Sequence, residues 1–359
     1  MKKRKNIIIA IVLLIIILLL GLGVWFVVDK LNRIDYTTES TEKQIEEVVD
    51  ESIPEESVVT EEEPEEEEII LVSEEEMSAL GLTEAKITDM DIFSDSDVFN
   101  VLLLGTDERK HNFSTNARAD SIMILSIDKE NKTMKLVSLA RGMGVPILEG
   151  QYEGQYDWLT HCFRYGGADL MLKEVQECLR VDVNRYVRVN FDSFADIIDA
   201  VGGVDIELTA LVAQGLNGEV RTNAYAKHKM YEGMNHLDGY DALQYSRLRY
   251  IDSDWKRIER QRNVIQAVVH KAQNLSLLEL NDVANTILPM INTNLTKTEI
   301  LDLVLFAPNI IGADIEQMSI PKKGTYGGMK GMGGRNLYAV DFEANAKILR
   351  EFLYGDYND

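Results

Sequence analysis

The chain has 359 residues, 45% hydrophobic and 27% charged, with two cysteines and a formal net charge of −23. That apolar share excludes a wholly disordered chain, and two cysteines exclude a disulfide-dense scaffold or a thiolate zinc module. The acidity is unevenly spread, so each region is weighed by its own charge.

Residues 1–6 read "MKKRKN" and residues 7–28 form an uncharged, apolar run of 22. At about 1.5 Å per residue such a run crosses a hydrocarbon core of about 30 Å. It exceeds the ~7–15 apolar residues of a cleaved signal peptide, and "WFVVDKLNR" offers no small-residue cleavage site. The basic tail predicts a cytoplasmic N-terminus. We therefore expect a single-pass anchor in the plasma membrane, with everything after Asp29 outside the cell.

Residues 29–97 are expected to be a disordered acidic stalk. Between residues 31 and 97 there are 24 acidic side chains against Arg33, Lys43 and Lys86. Such a run repels itself and buries too little apolar surface to offset ordering entropy. Residues 98–359 keep a net charge of only −6. A domain with that balance and no broad basic surface lacks the footprint of a nucleic-acid binder.

Within residues 98–359, "FNVLLLG" and "DSIMILSID" predict buried strands, and "TMKLVSLA" follows a polar turn as an antiparallel neighbour. "GGADLMLKEVQECLR" and "FDSFADIIDAVGG" predict helices, with the strand "RYVRVNF" between them. Next come a strand in "VDIEL", a short helix in "LDGYDALQYSR" and a long amphipathic helix from Asp254. Two further helices, a strand in "IEQMSI" and a last helix near "FEANAKILREFLY" complete the pattern. Interleaved strands and helices imply an α/β fold with a mixed central sheet flanked by helices. Cys162 and Cys178 sit in ordinary packing contexts. The glycine-rich "GTYGGMKGMGGRN" matches no phosphate-cradling motif and reads as a loop without a chemical role.

Chemistry concentrates in "SRLRYIDSDWKRIERQ". Tyr245, Arg247 and Arg249 alternate, which in an extended segment aims both guanidinium groups to one face. Asp254, Arg257 and Gln261 share a helical stripe with Arg260 on the adjacent arc, at a positive helix start. Guanidinium forks suit the paired oxygens of phosphate or carboxylate. The same spacing also fits a solvated basic face with Glu259 pairing along the helix, and spacing alone does not separate the two. Earlier, Asp107 closes the first strand, while Arg118 and Asp120 precede the second. On neighbouring strands the two aspartates can share a hard cation, although each also fits a turn cap. Arg141 closes the third strand, bringing three strand ends to one rim.

In this order, "NVLLLGTDER", "ARADSIMILSID", "KLVSLARGMGV", "FRYGGADLML", "YVRVNFDSFADIIDAVGGVDI", "LDGYDALQYSRLRY" and "SDWKRIERQRNVIQAV" resemble the LytR–CpsA–Psr family over about residues 98–275. The resemblance implies a phosphotransferase that moves a glycopolymer, such as teichoic acid or capsule, from a polyprenyl-pyrophosphate carrier to peptidoglycan. It also implies an apolar pocket for the lipid, for which the helices "NVIQAVVHKA" and "FADIIDAV" are candidate walls. The family's metal-binding acids fall on Asp107 and Asp120, for Mg²⁺ or Mn²⁺. Its pyrophosphate-binding arginines fall on Arg118, Arg141, Arg247, Arg249 and Arg257, and Asp254 and Gln261 complete its "D..R..RQ" motif. Arg118, Arg141, Asp254 and Arg257 are thus the candidates for catalysis, with Arg260 and Gln261 added for substrate binding. The family's Pro-Arg-Asp reads Ala140-Arg141-Gly142 here, without the acid. That departure leaves a non-catalytic or regulatory binder of the carrier as the alternative. His161 is a candidate base in the acid's stead, against a plain structural histidine.

Overall fold

The computed structural model describes residues 35–36, 82–108, 113, 117–310 and 313–355. The apolar run at 7–28 and most of the acidic stretch lie outside these residues. Among the described residues no helix is long and apolar enough to cross a membrane.

In chain order the first elements are β1 (Asp35–Tyr36), β2 (Val98–Thr106), β3 (Ala119–Asp128), β4 (Thr133–Leu139), β5 (Gly144–Pro146), β6 (Tyr156–Trp158) and α1 (Leu159–Leu179). Then come β7 (Tyr186–Asn190), α2 (Phe191–Ala200), β8 (Val204–Leu208), α3 (Ala210–Leu216), β9 (Gly233–Leu237), α4 (Gly239–Arg247) and α5 (Asp254–Gln273). The chain continues through α6 (Leu277–Ile287), β10 (Asn292–Thr293), α7 (Lys297–Phe306), β11 (Ile315–Ile320), β12 (Tyr326–Lys330), β13 (Asn336–Val340) and α8 (Phe342–Tyr354).

A seven-stranded sheet has the order β1-β10-β7-β2-β3-β4-β11. β3 is antiparallel to β2 and β4, whereas β7 runs parallel to β2 and β11 parallel to β4. The mixed sheet is therefore as expected, and its register sets which side chains share a face. Leu102, Leu104, Ile122 and Ile124 point to one face and pack with Leu170, Met171, Phe342 and Leu349 of α1 and α8. Leu103, Met123 and Leu125 point to the other, toward Ile265 and Val269 of α5. A separate cluster joins α2, α3, α4 and the β8–β9 hairpin.

Four local readings change. Residues 82–97, placed in the stalk by composition, lie on the domain. The Lys86 N–H donates to Val340 O at 2.9 Å, the Phe93 N–H to Arg180 O at 2.9 Å, and the Phe93 ring meets Tyr354 at 4.6 Å. Backbone pairing and one aromatic anchor outweigh the local charge there. α1 starts seven residues ahead of the expected "GGADL" helix and is broken by Gly166 (φ −153°, ψ 25°) and Gly167 (φ 63°, ψ −154°). The glycine-rich stretch forms the β12–β13 hairpin and feeds an arginine to the site. Tyr245 and Arg247 end a helix instead of sharing an extended strand with Arg249, because the Asp238 cap starts α4 and its turns run to Arg247. Cys162 and Cys178, both buried on α1, are free thiols.

Candidate active site

A cavity of about 860 Å³ opens between the second sheet face and helices α2, α4 and α5. Its size is within the range of about 300–1,000 Å³ usual for small-molecule sites. Leu103, Met123, Val187 and Val189 form the sheet wall, and Phe194, Ile197, Val264 and Val268 the helical wall. Both helices expected to supply apolar walls therefore do so.

The mouth is built where strands end. Asp107, Arg118, Asp120 and Arg141 line it from β2, β3 and β4, while Arg247, Arg249, Arg257 and Gln261 line it from α4, the following turn and α5. α5 starts at this rim because Ser253 caps it, accepting from the Lys256 N–H. Arg118 donates to Asp107 from its backbone N–H at 2.9 Å and from Nε at 3.3 Å. Arg141 Nη1 donates to Asp120 Oδ1 at 3.1 Å. Asp254 stands behind, 3.0 Å from Arg257 Nη2 and 3.9 Å from Arg141 Nη2. It acts through these arginines and is not itself part of the cavity lining.

Positive charge is in excess here. Burial, with Arg141 and Arg249 beside it, lowers the Arg257 pKa to about 9, and Asp254 and Asp120 offset only part of this. Burial likewise lowers Arg249. Burial by itself would raise the Asp120 carboxyl, but Arg141, Arg257 and Arg118 outweigh it and hold it below the usual carboxylate range. Among the described residues Arg257 Nε has no acceptor, and Nη2, buried beside Asp254, has the ion pair but no hydrogen-bond geometry. A buried cation with unmet donors calls for an anion.

Asp107 and Asp120 come to the same rim, on paired strands with Thr106 opposite Ala119. Two carboxylates at one rim, one held ionised, offer the hard oxygen donors that a divalent cation would take. Arg260 is not brought into the group. Its Nη1 and Nη2 donate to Asp252 at 2.6 and 3.0 Å, and the Leu248 carbonyl takes a further bond at 2.5 Å. Spacing placed it beside Arg257, but a carboxylate eight residues back captures it.

Three lining residues escaped the sequence reading. Asn223 donates to Arg247 O at 3.1 Å and accepts from the Arg249 N–H at 2.7 Å, which fixes the turn carrying both arginines. Arg335 arrives from the β12–β13 connection and Arg164 from α1. His161 also lines the cavity, and Gly142 sits in the turn after β4 with its carbonyl accepting from the Tyr338 N–H.

The LytR_cpsA_psr family model matches residues 67–351. A protein of Bacillus cereus named polyisoprenyl-teichoic acid–peptidoglycan teichoic acid transferase TagU is 34% identical over 247 residues, 68% of this chain and 73% of its own. The similarly named TagT of Bacillus subtilis is 31% identical over 227 residues, 62% of this chain and 68% of its own. A structure of TagT bound to LIIa-WTA matches with a TM-score of 0.58 at 28% identity, covering 76% of this chain and 98% of that one. Bacillus subtilis TagV gives 0.57 at 25% identity, covering 74% and 100%. With the family model matching most of the described domain and these relatives beside it, the chain belongs to the LytR_cpsA_psr family.

Proposed function

We propose that this protein is a phosphotransferase that moves a glycopolymer from a polyprenyl-pyrophosphate carrier to a hydroxyl of peptidoglycan, leaving a phosphodiester. The observation that carries this reading is the cavity, whose apolar walls end in a mouth lined by seven arginines, one of them buried with unmet donors. An amphiphile with a charged head fits that gradient. The names of the relatives point to the same transfer. The apolar run at 7–28 would anchor the chain in the plasma membrane, with the N-terminus inside and the domain outside.

Arg118, Arg141, Arg247, Arg249 and Arg257 hold the pyrophosphate oxygens and stabilise the charge that grows on them in the transition state. Gln261 supplies a further polar contact at the mouth. Asp107 and Asp120 would hold Mg²⁺ or Mn²⁺, which supplies Lewis-acid neutralisation of the phosphate oxygens when bound.

The test uses the full chain in detergent micelles with Mg²⁺, a polyprenyl-pyrophosphoryl saccharide and peptidoglycan fragments, read by mass spectrometry. The expected product is a saccharide–phosphate–peptidoglycan adduct, lost on chelation and restored by Mg²⁺. Free saccharide phosphate that forms without peptidoglycan would instead mean hydrolysis. Carrier bound without any product would favour the regulatory binder, the reading to which Gly142 lends support.

A further inference from the structure

Asp157, at the centre of β6, is fully buried and gathers donors from three directions. His161 Nδ1 lies 2.9 Å from Asp157 Oδ2, the Tyr165 hydroxyl donates to the same oxygen at 2.6 Å, and Arg335 Nη1 approaches it at 3.4 Å. The Trp158 N–H donates to Oδ1 at 2.8 Å. Burial would raise this carboxyl, but the bonds from His161 and Tyr165 outweigh it and keep it below the usual range. An ionised carboxylate only accepts hydrogen bonds, so Nδ1 of His161 must carry the proton. In the neutral ring the lone pair is then on Nε2, which makes no hydrogen bond among the described residues.

The position of that lone pair is set by the neighbouring residue. Thr160 donates its hydroxyl to Ala119 O at 2.8 Å and its N–H to Arg141 O at 3.2 Å. These carbonyls belong to the strand ends that carry Asp120 and Arg141. The first turn of α1 is thereby fastened to the cationic mouth, and His161 lines the same cavity.

We propose that His161 Nε2 is the proton acceptor for the attacking hydroxyl, and that Asp157 is the positioning residue that sets its tautomer and aim. The inference rests on the transferase reading above. In the step, the acceptor hydroxyl loses its proton to Nε2 while its oxygen bonds the saccharide-bearing phosphorus. The bond from that phosphorus to the bridging oxygen breaks, and polyprenyl phosphate leaves with the electron pair. The imidazolium is stabilised by Asp157 and returns its proton to water. The groups that tune it are Asp157, Tyr165, Arg335 and Arg164 beside it, with Asp120 and Arg141 across the mouth.

The test follows transfer by the full chain in micelles from pH 5.5 to 9, with carrier binding measured in parallel. His161→Gln should slow transfer by about 10²–10⁴-fold, the usual contribution of a positioned base, with carrier binding within about twofold of wild type. It should also abolish the fall in rate on the acid side. His161→Asn, which keeps a donor for Asp157 and so preserves the fold, should be equally slow. Asp157→Asn should lower kcat and move the acid limb while leaving KM nearly unchanged. Independently, nitrogen NMR of the histidine-labelled chain at pH 8 should show His161 protonated on Nδ1, a state lost in Asp157→Asn. Wild-type rates in His161→Gln, or a proton on Nε2, would overturn the proposal while the transferase reading stood. A wild-type chain that yields no peptidoglycan adduct would overturn both.

Discussion

Arg257 and Arg260 are one turn apart on α5 and both are almost completely buried, at 2% and 4% exposure. Around Arg260 the protein supplies three hydrogen bonds, two to Asp252 and one to the Leu248 carbonyl, and among the described residues only Nε lacks an acceptor. Around Arg257 it supplies far less. Nε has no acceptor, Nη2 has only the ion pair with Asp254 at 3.0 Å without hydrogen-bond geometry, and two other arginines press on it. Burial alone does not distinguish the two, whereas the balance of donors and acceptors does. Arg260 stabilises the protein, and Arg257 is held at some cost to stability for something the protein does not contain.

Substitutions at these two positions should separate activity from stability in opposite senses. Arg257→Met removes a fixed donor from the mouth and should lower kcat by about 10²–10³-fold. Its melting temperature should fall less than that of Arg260→Met, since an undercompensated buried charge is gone and Asp254 keeps Arg141 at 3.9 Å. Arg260→Met leaves Asp252 without its partner and should destabilise the fold by about 3 kcal/mol, at the low end for buried pairs because Asp252 is partly exposed. Calorimetry would register that as a clear drop in melting temperature, with kcat of the folded fraction little changed. The reverse pattern, an unstable Arg257→Met and a stable, inactive Arg260→Met, would break the comparison.

Asn223→Ala sharpens it by loosening the turn that carries Arg247 and Arg249 without touching either guanidinium group. Two bonds are lost, and a cost of about 1–1.5 kcal/mol should show as roughly a tenfold rise in KM for the carrier.

The smallest effect concerns a buried acid far from the mouth. Glu174 is fully buried on α1, and burial raises its pKa to about 8 despite the bond from the Leu148 N–H. Between its unfolded value and about 8 the folded state binds the extra proton. Stability is therefore fully present below the unfolded pKa and is lost as pH rises through about 8. Melting temperatures should fall by a few degrees from pH 5 to 8 in wild type, and Glu174→Gln should flatten that slope.

Sequence made the sheet legible because its strands are short apolar runs closed by turn residues. The same runs located Asp107, Asp120 and Arg141, since polar groups at strand ends share a rim whatever the helices do. Local spacing failed where a long-range partner decided the outcome. Nothing in "RIERQ" says that Asp252 will take Arg260 and leave Arg257. Asn223 and Arg335 were missed because one sits in a loop and the other in a glycine-rich stretch, and only the fold brings them to the mouth. Asp157 and His161 are four residues apart, a spacing that was readable, but Asp157 was passed over in an otherwise unremarked strand.

The break at Gly166 and Gly167 has a mechanical side. Gly167 has a φ of 63° and a ψ of −154°, a backbone state open essentially to glycine, and a Cβ on Gly166 would come 2.6 Å from that of Leu170. Without the break, His161 and Cys178 would be ends of one rod about 25 Å long, and a tilt of about 5° at one end would sweep the other by about 2 Å. With it, residues 168–179 can settle into the core as that core requires, while residues 159–165 are aimed by the carbonyls of Ala119 and Arg141. The two glycines act as a pivot that keeps errors of packing from becoming errors of aim.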